Sequence, residues 1–172
     1  MPATPLARRA MLAIPVLLAA TAARSQPTSQ PRARILLEVT GRLAAPHAGS
    51  AARFDLDMLD RLPQAGFSTR TPWMDGPRHF SGVSGAGLVE AVGAGGVEVV
   101  ASAINDYRVT IPVEDFRQSG LIIATRLNGE PIPVREKGPL WVIYPFDAEP
   151  RLRNEVFFGR SIWQLRRLEF RG

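Results

Sequence analysis

The amino-acid sequence predicts an α+β domain that is mostly strand, with two or three short helices. Several short segments rich in Val, Ile and Leu are bounded by Gly, Pro or Asn, as β-strands usually are. The stretches with helical character are short and follow residues suited to cap a helix. Asn128-Gly129 lies between two apolar runs, which is typical of a tight β-hairpin.

The first half of the chain combines strands with two short helices. Residues 35–40 have the composition of a strand. Asp55 is placed to cap a helix that Pro63 ends. Ser84 can cap a second helix, and Gly93 is placed to end it.

Residues 67–83 combine a β-prone segment, a tryptophan and strong turn residues. Pro72 favours extended backbone before it, and the run from Asp75 to Pro77 predicts a turn. Trp73 should therefore lie at the end of a strand beside a bend. In that position its ring either lines a pocket or packs at the rim of the core.

The second half predicts mainly strands. Pro112 suits the first turn of a short helix that includes Phe116. The polar residues 145–155 predict a loop. The predicted strands are residues 97–102, 108–111, 121–127, 132–134, 140–144 and 161–170.

Residues 1–25 have the features of a cleaved signal peptide: Arg8 and Arg9 precede an apolar run, and small residues follow it. Cleavage fits after Ala22 or after Ser25, and we favour the second site. The arginine pair also resembles the twin-arginine export pattern. We therefore expect a periplasmic protein with a flexible lead-in, residues 26–34, and a single domain, residues 35–172.

Composition narrows the possible partners and sites. The formal net charge is +5, but Arg8, Arg9 and Arg24 belong to the predicted signal peptide. The rest of the chain is therefore close to neutral, and we expect no nucleic-acid partner. The apolar run of the predicted signal peptide, residues 11–20, is short and interrupted by Pro15, which argues against direct membrane insertion. The chain has no cysteine, and His47 and His79 are far apart in sequence, so a thiolate or His-based metal site is not expected.

The chain resembles a family, the small secreted proteins of the sulfite-oxidase fold known as oxidoreductase molybdopterin-binding domain proteins. The resemblance covers residues 36–170. It rests on ordered motifs: Thr71-Pro-Trp-x-Asp-Gly, Phe80-x-Gly-Val, Asn105-Asp-Tyr-x-Val-x-Ile-Pro, Asn128-Gly-x-Pro-Ile near Gly138-Pro-Leu-Trp, and Arg160-Ser-Ile-Trp-Gln. The resemblance implies a sulfite-oxidase-type, molybdopterin-binding fold.

One position departs from the family pattern. Sulfite-oxidase-type enzymes hold molybdenum through a cysteine, and the position that resembles it here is Thr69. A neutral hydroxyl does not replace a soft thiolate ligand. The chain is then similar to periplasmic proteins that bind reduced pterins without catalysis and relay the ligand state to a membrane-bound cyclic-di-GMP enzyme. The alternatives are a molybdopterin-dependent oxidoreductase with an atypical metal site and a scaffold with a vestigial site.

A pterin is a flat heteroaromatic ring that needs aromatic walls and a carboxylate for its N–H edge. Trp73 and Trp163 are the candidate walls, meeting across a cleft wide enough for one ring, although each could simply be a packing residue. Trp163 and Ser161 should share one side of the last strand. Trp141 is expected in the core.

Asp106 is the preferred carboxylate, ahead of Asp75, although turn residues of this type often bond their own backbone. Four cations could meet a phosphate if the ligand were molybdopterin: Arg78, Arg135, Lys137 and Arg160. The complete set of predicted ligand-binding residues is Trp73, Trp163, Asp106, Asn105, Tyr107, Asp75, Thr71, Tyr144, Arg160 and Ser161. No catalytic or metal-ligating residue is predicted.

Overall fold

The computed structural model describes residues 30–47 and 49–172, so the predicted signal peptide and residues 26–29 of the lead-in lie outside the described residues. The strands are β1 (Leu37–Gly41), β2 (Ala52–Phe54), β3 (Gln64–Thr71), β4 (Met74–Ser84), β5 (Glu98–Ala103), β6 (Arg108–Pro112), β7 (Ile122–Leu127), β8 (Glu130–Pro131), β9 (Trp141–Ile143) and β10 (Leu165–Arg171). The helices are α1 (Leu56–Asp60), α2 (Gly85–Val92), α3 (Val113–Gln118) and α4 (Glu155–Arg160), with short 3₁₀ turns at Val134–Glu136 and Pro150–Leu152.

These strands form two five-stranded sheets. The first has the order β2-β1-β10-β5-β6, in which β1 and β10 are parallel and the other pairs are antiparallel. The second has the order β3-β4-β7-β8, and β9 also pairs with β7. One cluster of buried apolar side chains includes residues from both sheets. The fold is α+β and mostly β, which confirms the predicted class.

Local capping residues begin the first two helices where the sequence predicted. Asp55 accepts a hydrogen bond from the backbone N–H of Met58 (2.9 Å) at the start of α1. Ser84 does the same for Gly87 (3.0 Å) at the start of α2. Gly93 then ends α2 in the left-handed conformation, with φ of 56°.

The turn predicted at Asp75–Pro77 lies elsewhere. Residues 75–77 belong to β4, and the chain reverses at Pro72 and Trp73, between β3 and β4. Proline's fixed φ suits the first central position of a turn, and here that preference decides the position of the turn. Trp73 therefore lies at the tip of a hairpin, close to the strand end where it was expected.

Two further differences concern the C-terminal third. Residues 155–160 form helix α4, although the sequence predicted a loop up to residue 155, and Asn154 caps α4 by accepting from the Val156 N–H (3.0 Å). Residues 161–164 lie outside β10, so Ser161 and Trp163 do not lie on one strand face as predicted. The break comes at Gln164, whose φ of 52° is incompatible with a continuous strand.

Among residues 30–47 and 49–172, every helix is too short or too polar to cross a lipid bilayer.

Candidate ligand-binding site

All three tryptophans of the chain meet in one cluster. The ring centroid of Trp73 lies 5.7 Å from that of Trp141 and 5.6 Å from that of Trp163. The centroids of Trp141 and Trp163 are 6.2 Å apart. Trp141 is completely buried, and its indole N–H donates to the Ser161 carbonyl oxygen (3.1 Å). Trp73 and Trp163 are half-buried, so they form the accessible side of the cluster.

The two predicted walls do not stand apart with a slot between them. The Trp73 and Trp163 rings contact each other edge to face, at an interplanar angle of 74°. A flat ring between two parallel indoles would require them to be about 7 Å apart, because each stacked contact needs about 3.5 Å. The prediction of a cleft between these two rings is therefore wrong. The two indoles instead form adjacent parts of one wall.

A cavity of about 440 Å³ opens beside this wall. Three parts of the chain line it: the β3–β4 turn, the turn between β5 and β6, and the segment from α4 to residue 163. Its lining residues are Trp73, Ala103, Asn105, Tyr107, Glu155, Phe158, Gly159, Ser161, Ile162 and Trp163. Of the ten predicted ligand-binding residues, the five that line it are Trp73, Trp163, Asn105, Tyr107 and Ser161.

The turn between β5 and β6 forms one rim of the cavity. Asn105 accepts a hydrogen bond from the backbone N–H of Tyr107 (3.2 Å), which fixes the shape of the turn. The Tyr107 side chain is 53% exposed and reaches the rim. The Asn105 amide NH₂ group remains as a donor for a ligand.

Neither predicted carboxylate lines the cavity. Asp106 lies between two lining residues, but it takes the left-handed turn conformation (φ of 64°), a role that Asp fills readily in turns. Asp75 is exposed on β4 and is also absent from the lining. The lining carboxylate is instead Glu155, in the first turn of α4.

Tyr144 and Arg160 do not line the cavity either, because both bind the same carboxylate. Tyr144 is completely buried, and its hydroxyl donates to Asp115 Oδ2 (2.8 Å). Arg160 Nη1 donates to the same oxygen (3.0 Å). Burial and the Asp115 carboxylate raise the pKa of Tyr144 far above its usual value, so the phenol keeps its proton and remains a donor. These residues tie the end of α4 to α3 and thereby position the helix that carries Phe158.

Thr69 is buried and has partners for its hydroxyl. The Thr69 side chain accepts a hydrogen bond from the Asp147 backbone N–H (3.0 Å) and donates to the Arg70 carbonyl oxygen (3.4 Å). Arg70 and Arg153 form ion pairs with the same Asp147. A hydroxyl that is engaged on both sides and absent from the cavity lining does not fit the role of a molybdenum ligand at this position.

Thr71 is also buried and does not line the cavity, in contrast to its predicted role. Its hydroxyl has no hydrogen-bond partner among the described residues. Within residues 30–47 and 49–172, no group of three His, Asp or Glu side chains is arranged to hold a metal ion.

The four cations considered for a phosphate are also absent from the lining. The Lys137 ammonium lies over the Trp163 ring, 4.1 Å from its centroid, and covers one face of it. A ligand in the cavity therefore cannot stack on the face of Trp163 that Lys137 covers. Arg78 and Arg135 are exposed elsewhere, and Arg160 is paired with Asp115.

Sequence reasoning missed Glu155, Phe158 and Gly159 because it did not predict α4. A signal was present, since Asn154 is a strong capping residue and Glu155 is an acid suited to the first turn of a helix. Ala103 and Ile162 could not be singled out, because apolar side chains carry no local mark of a binding site.

Comparison with known proteins identifies the fold. No family model and no curated protein sequence matches the chain. Its structure is similar to the sulfane dehydrogenase SoxCD from Paracoccus pantotrophus, with a TM-score of 0.58 and 16% sequence identity over 78% of this chain. The match covers 37% of the SoxCD chain. At this sequence identity the similarity supports the predicted α+β, mostly β fold and does not extend to activity.

Proposed function

We propose that this chain is a non-catalytic binding protein for a flat heteroaromatic ligand of the pterin class. The observation that supports this function is the meeting of all three tryptophans beside a cavity of about 440 Å³. Cavities of about 300 to 1,000 Å³ with aromatic walls and a few polar groups are typical of small-molecule sites. The cavity thus suits one bicyclic ring with a short substituent.

The lining residues match both the flat faces and the polar edge of a pterin. The rings of Trp73, Trp163 and Phe158 supply aromatic contacts for its faces. Its edge carries adjacent N–H donors and a carbonyl oxygen. Glu155 can accept from the donors, and the Asn105 amide can donate to the carbonyl. A pterin that binds through these groups needs no metal in the site.

The family resemblance provides a second candidate, a molybdopterin-dependent oxidoreductase with an atypical metal site, and the similarity to SoxCD agrees with it at the level of the fold alone. The bonded hydroxyl of Thr69 weighs against it. In a molybdopterin enzyme the metal that the pterin dithiolene binds would supply the redox chemistry, and this chain would contribute binding contacts alone.

Native mass spectrometry of the protein purified from its own cells distinguishes the candidates. We expect about one pterin per chain, with molybdenum far below one atom per chain. Molybdenum at about one atom per chain would show the oxidoreductase to be the correct candidate. If the chain is empty and no added pterin raises its melting temperature, as mass action requires of a specific ligand, it is a scaffold with a vestigial site.

The relay role and the periplasmic location are parts of the same proposal. They follow from the family resemblance and from the predicted signal peptide, and the partner would be the periplasmic part of a membrane-bound cyclic-di-GMP enzyme. Deleting the gene should change the cellular cyclic-di-GMP level, and the change should disappear in cells that cannot make pterins. If the deletion left the cyclic-di-GMP level unchanged in pterin-producing cells as well, this result would contradict the relay while leaving pterin binding intact.

A further inference from the structure

The charge of the cavity lining restricts the ligand further. Among the residues that the structure describes, Glu155 is the charged residue of the lining, and no Arg, Lys or His contributes to it. Within the described part of the lining, a ligand therefore meets a carboxylate and no compensating cation.

The basic residues nearest to the cavity along the chain are engaged elsewhere or lie outside the lining. Arg160 is paired with Asp115 (3.0 Å), and Arg153 is paired with Asp147 (3.0 Å). The Lys137 ammonium lies over the Trp163 ring. Arg108 follows the lining residue Tyr107 but belongs to β6 and does not contribute to the cavity. A phosphate on the ligand would thus find a like charge in the lining.

We propose that Glu155 is a specificity-determining residue that selects heteroaromatic ligands with adjacent N–H donors and without a phosphate. This inference rests on the proposed function. The two carboxylate oxygens can accept from two neighbouring N–H groups, and such charge-assisted hydrogen bonds are about twice as strong as neutral ones. The same negative charge repels phosphate, so the site takes free pterins and rejects phosphorylated pterins, including molybdopterin.

The chain offers a closely matched control for Glu155. Glu114 is also exposed and also lies in the first turn of a six-residue helix, α3, but it does not line the cavity. Replacing either residue by glutamine removes one negative charge from a helix N-terminus. A difference between the two variants therefore reports on the cavity and not on helix stability.

The test measures the binding of 7,8-dihydroneopterin and of its 3′-triphosphate by calorimetry. We expect the wild-type chain to bind the unphosphorylated compound at least about tenfold more tightly. Glu155→Gln should weaken this binding by about tenfold or more and reduce the discrimination against the triphosphate, because it removes both the charged acceptor and the repulsion. Glu114→Gln should match the wild type in both respects.

Unchanged affinity and discrimination in Glu155→Gln would overturn the assignment of Glu155 and leave pterin binding standing. Preference of the wild type for the triphosphate would overturn it as well. If the wild type binds neither compound, the proposed function itself fails, and the assignment fails with it.

Discussion

Replacing Trp73 by alanine should weaken the binding of 7,8-dihydroneopterin by about 10- to 100-fold. Trp73 lines the cavity and contacts three other aromatic rings, those of Trp141, Trp163 and Phe158, at centroid distances of 5.6 to 5.9 Å. Its removal deletes part of the aromatic wall and the lateral support of two other lining rings, those of Trp163 and Phe158. Titration followed by ligand fluorescence measures the change.

The control for Trp73→Ala is Trp141→Phe. Trp141 belongs to the same cluster but is completely buried and does not line the cavity. Its replacement loses the hydrogen bond to Ser161 and should lower stability by about 1 to 3 kcal/mol. Affinity should stay within about threefold of the wild type at a temperature where the variant is folded. Equal losses of affinity in both variants would assign the effect to general destabilisation of the cluster.

Replacing Asp115 by alanine should lower the free energy of unfolding by about 3 to 5 kcal/mol. The change leaves the buried hydroxyl of Tyr144 and the guanidinium of Arg160 without their shared acceptor. The Arg160 side chain is 22% exposed, and water therefore compensates for part of its loss. Urea denaturation, with the slope compared to that of the wild type, measures the difference.

Glu114→Ala provides the comparison for Asp115→Ala. It removes the neighbouring acid from the first turn of the same helix but leaves the contacts of Asp115 in place. We expect it to cost less than about 1 kcal/mol, the usual value of an exposed charge at a helix N-terminus. If Asp115→Ala cost no more than this control, Asp115 would not hold α4 in place.

Features encoded by neighbouring residues could be predicted from the sequence. Asp55 and Ser84 cap their helices through the backbone N–H three residues later, so the sequence spacing is sufficient to recognise them. Asn128 and Gly129 both take positive φ values, 51° and 88°, as a tight hairpin turn requires.

The candidate site could be predicted only in part, because it is assembled from distant segments. Trp73 and Trp163 were identified as individual residues, but their edge-to-face contact depends on how the β3–β4 turn meets the segment after α4. Glu155 was missed with its helix. Tyr144 and Arg160 were assigned to the ligand because the sequence does not reveal that Asp115 lies within reach of both.

The indole N–H resonances test the central claim most directly. The chain has three tryptophans, so ¹⁵N-labelled protein should give three indole signals. On titration with 7,8-dihydroneopterin, we expect the signals of Trp73 and Trp163 to shift until binding saturates. Trp141, whose N–H is held by Ser161, should shift much less. Saturable binding that leaves the Trp73 and Trp163 signals in place would contradict a pterin site in this cavity.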